Sequence, residues 1–161
     1  MEEVERLVAV LGEEVRVCDV LASVLRDEQE AVVRLRPEAM LTCLEQRQVL
    51  QERLTRLAAE RRAVVRAVGT VRGKSTERAT EVLPLLPDEP QARVREQVQR
   101  LRGALLMARS LERQNALLVG SGLDTVADLL RTLRALTPEA RYDANAELAA
   151  VRAPERLDQR A

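Results

Sequence analysis

Few residues in this 161-residue chain could do covalent or acid–base chemistry. It has no histidine, which removes the commonest general acid/base and the commonest metal ligand. Its two cysteines, Cys18 and Cys43, match neither a zinc-site spacing nor a redox pair. Both fall on apolar lines, where a free thiol packs as a small hydrophobe. Carboxylates are plentiful but alternate with arginines. Pairs such as Glu28/Arg34 and Glu52/Arg56 read as solvated surface charges that contribute little individually. Gly120-Ser121-Gly122 keeps a helical register and lacks the lysine of a phosphate loop. No nucleophile–base pair is visible. These residues point away from an enzyme, and no cofactor or metal is expected. Tyr142 is the sole aromatic residue and lies just beyond the Thr137-Pro138 helix stop. It reads as a candidate docking anchor or as a ring packed on the preceding helix.

Charge and composition narrow the remaining classes. The formal net charge is zero, so no whole-chain field favours nucleic acid or an anionic membrane. Arginines are spread along the chain without aromatic platforms for stacking bases. No run of about 18 apolar residues exists, so no membrane insertion is expected. The acidic start, MEEVERLVAV, is unlike a secretory signal, and a cytoplasmic location is expected. Charged residues at 32% and apolar residues at 46% fit a charged helical bundle better than a disordered chain.

Three long helices must therefore carry whatever the chain does. Over residues 2–34, Val4, Leu11, Cys18, Leu25 and Val32 recur seven apart, and Leu7, Glu14, Leu21, Glu28 and Leu35 form a companion line. Val8, Val15 and Ala22 widen that stripe. Pro37 ends the first helix and suits the first turn of a second over 38–68. Its lines are Cys43, Leu50, Leu57 and Val64, and Met40, Arg47, Leu54, Arg61 and Val68. Arg47 and Arg61 read as side chains snorkelling from the seam, and Gly69 as the C-cap. Residues 69–90 form a connection with a short helix over 76–83 capped by Ser75. A third helix over 91–136 keeps its heptads through Val94, Leu101, Ala108, Asn115, Gly122, Leu129 and Leu136. Gly120 and Gly122 make their turn its candidate kink. The fold class is all-α: an elongated antiparallel three-helix bundle with coiled-coil-like packing over 1–138, then a mobile tail over 139–161.

The third helix is roughly 20 Å longer than the hairpin it must pack against, at about 1.5 Å per residue. Its end, from about Leu123, overhangs and carries an apolar stripe. Unless the 76–86 segment or a second copy covers it, such a stripe marks a partner site. Asn115 and Glu112 interrupt the third seam, either to set register or to meet a partner. The candidate protein-binding residues are Asn115, Leu118, Val126, Leu129, Leu130, Leu133 and Leu136.

Three stretches resemble the FlgN family of flagellar export chaperones, over roughly residues 2–145. They are the 30–39 segment followed by Leu41, Leu44, Leu50, Leu54, Leu57 and Arg61-Arg62; Glu112-Arg113-Gln114-Asn115-Ala116-Leu117-Leu118; and Tyr142-Asp143-Ala144-Asn145. The resemblance implies a type III export chaperone. Its expected partners are hook–filament junction proteins like FlgK and FlgL, held by a C-terminal helical segment, and the export gate protein FlhA, docked through Tyr142. A structural coiled-coil scaffold, or another secretion-system adaptor, is the alternative that heptads alone also fit. Self-association stays open.

Overall fold

The computed structural model describes residues 2–136, and side chains through Arg134. All of its regular structure is helical: α1 (Glu2–Val33), α2 (Pro37–Val71), the short α3 (Ala79–Val82) with a 3-10 turn (Leu83–Leu85), and α4 (Asp88–Leu136). Tyr142 and the tail over 139–161 lie outside the described residues. Packing divides the chain into a unit of residues 1–122 and a second unit beginning at Leu123.

In the first unit the main apolar line of α1 buries as its spacing requires, whereas Leu50, Leu54 and Leu57 of α2 are only partly buried and Leu35, placed on the companion line, is exposed. Leu7, Leu11, Cys18 and Leu25 of α1 are almost completely buried. Val10, Val17 and Val24 are buried as well, a third line that the heptad reading did not single out. Its signal is there: a valine stands one position before each of Leu11, Cys18 and Leu25. α1 is thus enclosed on a wide arc, as expected of a helix with a neighbour on each side.

Chain direction follows from cross-helix pairs. Arg6 binds Glu60, and Arg47 binds Glu28, so α2 runs antiparallel to α1. Arg93 of α4 binds Glu5, 88 positions away, and Asn115 binds Glu28, 87 away. Two such pairs at nearly constant offset mean that α4 runs parallel to α1. Val33, the last residue of α1, then has its counterpart near Ser121.

Local chemistry sets the turns. At the end of α1, Arg36 N–H donates to Ala31 O and Leu35 N–H to Val32 O, a Schellman closure. Leu35 occupies its left-handed position, φ 52°. Pro37 then opens α2 as its first residue. Gly69 does not end α2, which continues to Val71. The chain turns back instead so that Lys74 N–H donates to Gly69 O at 2.9 Å, and a Cβ on Gly69 would meet Lys74 O at 2.5 Å. Gly69 is there for a close backbone approach. The short helix starts later than expected, at Ala79, with Arg78 as its N-cap and no side-chain cap, so Ser75 does not cap it; just upstream, the Thr76 hydroxyl accepts from Arg78 N–H and donates to Glu81. Ala79, Val82 and Leu86 join the core with Leu7, Leu11, Val65 and Val94. The 76–86 knot is therefore a structural part of that core.

Candidate interaction surface

The third-seam line of α4 changes character along its length. Val94, Leu101, Ala108 and Asn115 are buried, whereas Leu129, on the same line, is exposed. Helical structure is continuous through Gly120-Ser121-Gly122, and Ser121 Oγ donates to Leu117 O at 3.0 Å. From Leu123 onward the apolar residues stay open: Leu123, Val126, Leu129, Leu130 and Leu133 are 50–66% exposed. They keep helical spacing, so they share a stripe rather than scatter. Leu118 is half-buried. The side chain of Leu136 lies outside the described set. Five half-exposed Leu and Val side chains are worth about 1 kcal/mol each if covered. That suits a partner helix held firmly but releasably once the cost of association is subtracted.

Asn115 belongs to the bundle interior, not to this stripe. It is 3% exposed, and its Nδ2 donates to Leu25 O at 2.8 Å and to Glu28 Oε2 at 3.0 Å. Arg47 Nη1 donates to both Glu28 oxygens, at 3.2 and 3.3 Å. Side chains from α1, α2 and α4 meet in one polar layer, which fits only one axial position of α4. Glu28 is therefore no solvated surface charge: it is 6% exposed and lies at a seam position.

Two heptads nearer the N-terminus, Glu14 repeats the arrangement with Arg61. Arg61 Nε lies 2.9 Å from Oε2 and donates to Oε1 at 3.2 Å. Among the described residues no asparagine completes this layer, and Oε2 receives no well-aligned hydrogen bond. Burial pushes the Glu14 carboxyl above its ordinary value, against the opposing pull of Arg61. Arg47 and Arg61 thus reach into the seam to meet buried carboxylates. Sequence reading placed the four residues on the seam but could not pair them, because their partners lie far apart along the chain.

Both thiols pack in the interior. Cys18 is fully buried and its thiol is pushed up to about 11, and Cys43 is also buried and pushed up by burial. Among the described residues, no group of three or more metal-ligating side chains converges. No described helix is long and apolar enough to cross a membrane.

A protein-family model described as FlgN protein matches residues 1–150. Comparison with curated proteins and with solved structures returned no match.

Proposed function

The chain belongs to the FlgN protein family, and from that premise we propose that it is a non-catalytic flagellar type III export chaperone for hook–filament junction proteins of the FlgK/FlgL kind. Family membership supports the general role of chaperone or export adaptor. The observation that carries the finer reading is the exposed stripe Leu123, Val126, Leu129, Leu130 and Leu133 on α4.

The physical logic is helix capture. A C-terminal amphipathic helix of the substrate has an apolar face that aggregates or assembles early when left in water. Laid against the α4 stripe, that face is covered in the helix-in-groove manner. Holding needs no pocket, and a modest apolar area lets the export apparatus strip the chaperone off. Tyr142 then supplies the contact with the gate protein FlhA, a role that comes from the family resemblance.

The test is binding of the full-length chain to the C-terminal segment of a FlgK-like protein. Leu129→Glu with Leu133→Glu places two charges in the stripe and is expected to weaken binding by at least about tenfold, roughly 1.4 kcal/mol or more. Helicity by circular dichroism should not change, because both side chains are exposed. Undiminished binding by this variant would sink the assignment of the stripe, and failure of the unmodified chain to bind any junction protein would favour the scaffold reading.

A further inference from the structure

A second apolar surface lies on the first unit, along the outer seam between α1 and α2. Two layers of that seam are closed by charges. Arg6 of α1 pairs with Glu60 of α2, and one heptad on, Glu13 pairs with Arg53. The next heptad position on α1 is Val20, and the row breaks. Val20 and Val49 stand 51% and 62% exposed over a groove of about 450 Å³ floored by Val24 and Leu50 and walled by Glu45 and Gln46. A valine pair replaces an ion pair, which leaves the seam open at this layer.

The two ends of the groove differ in charge. One turn before Val20 and one turn after Val49, Arg16 and Arg53 both bind the single carboxylate of Glu13; exposed Glu52 and Arg56 on the same stretch of α2 offset each other, leaving one surplus positive charge. At the hairpin end, Glu45 lines the groove and Asp27 stands one turn beyond Val24, both exposed and, among the described residues, without an ion pair. Arg16 and Asp27 lie roughly 16 Å apart along α1, about three helical turns.

We propose that this groove docks a short amphipathic helix of another protein. The helix carries small branched apolar residues along one face, basic residues at the end that meets Asp27 and Glu45, and acidic residues at the end that meets Arg16 and Arg53. Charge complementarity selects this occupant and its direction. Length argues for one helix: an apolar lining of four side chains is far short of the roughly 1,200–2,000 Å² that a stable pair of proteins buries. The site is separate from the α4 stripe and does not depend on what the stripe binds.

The probe is a synthetic three-turn helical peptide with a Leu/Val face, glutamates at one end and arginines at the other, followed by fluorescence anisotropy against the full chain. Its control has glutamates at both ends. The expected result is binding of the first peptide at least about tenfold tighter than the control. Val20→Glu with Val49→Glu should abolish binding, and Asp27→Arg with Glu45→Arg should weaken it about tenfold, while Leu129→Glu with Leu133→Glu leaves it unchanged. All of these side chains are exposed, so each variant should keep its helicity. Equal binding of the two peptides would overturn the proposal, as would full binding by the Val20/Val49 variant. So would a dimer of the chain that the Val20/Val49 variant dissolves, since a second copy would then be the occupant.

Discussion

Glu14 and Glu28 occupy equivalent seam positions two heptads apart, yet their surroundings are unequal. Among the described residues, Glu28 receives hydrogen bonds from Arg47 and Asn115, whereas Glu14 has only Arg61. Burial therefore wins at Glu14 and raises its carboxyl above the ordinary value of 4.5. The sign follows by linkage: the folded chain keeps this proton more tightly than the unfolded chain does. As pH rises from 4.5 through the raised folded value, the unfolded chain loses the proton first, and folded stability declines. Glu5 and Glu13 act oppositely, because hydrogen bonds from Arg93 and Arg16 hold their carboxyls down. Their stabilisation is present above the ordinary value and is lost as pH falls through the folded one. Glu14→Gln keeps the shape of the side chain and removes the titration, leaving Glu5 and Glu13 untouched. Its stability relative to the unmodified chain should rise as pH increases from 4.5 through the raised folded value, read by urea denaturation at fixed ionic strength. Parallel pH profiles for the two proteins would contradict this account. At this scale the sequence announced the charged seam positions, but not that they pair or which is the better satisfied.

The helices themselves were largely legible, because heptad spacing and proline stops are local signals. The turns were less so. Pro37 marked the α1–α2 junction, but nothing local showed that Leu35 would take φ 52°. A left-handed backbone costs a residue with a Cβ roughly 1–2 kcal/mol, and Leu35, 85% exposed, gains no packing in return. Glycine takes this conformation freely but loses more backbone freedom on folding. Leu35→Gly should therefore stabilise the chain by about 0.5–1 kcal/mol, a rise of roughly 2–4 °C in melting temperature for each kcal/mol. A lower melting temperature would show that Leu35 makes a contact worth more than its strain. Gly69 carries the converse lesson. It sits inside α2 and touches the backbone of Lys74, so its requirement comes from the chain's return and not from helix capping.

For the molecule as a whole, the core residues assign stability to the first unit. Every buried side chain among the described residues lies at or before Asn115. A chain ending at Gly122 should keep a cooperative helical melt with its midpoint within a few degrees of the full chain, measured by circular dichroism. Loss of cooperative unfolding would mean that residues past Gly122 contribute to the core. The sequence by itself determined the helical class, the three long segments, the absence of histidine chemistry and the apolar run from Leu123 to Leu136, because each is written in composition or in a local period. It also carried the family resemblance. Only the tertiary structure decided which polar seam residues are buried partners, that the 76–86 knot joins the core, that Asn115 faces inward, and that the α1–α2 seam opens at Val20. Those outcomes depend on which side chains distant in sequence share a layer. A heptad pattern sets which face of each helix is apolar, but not the axial register at which two such faces meet.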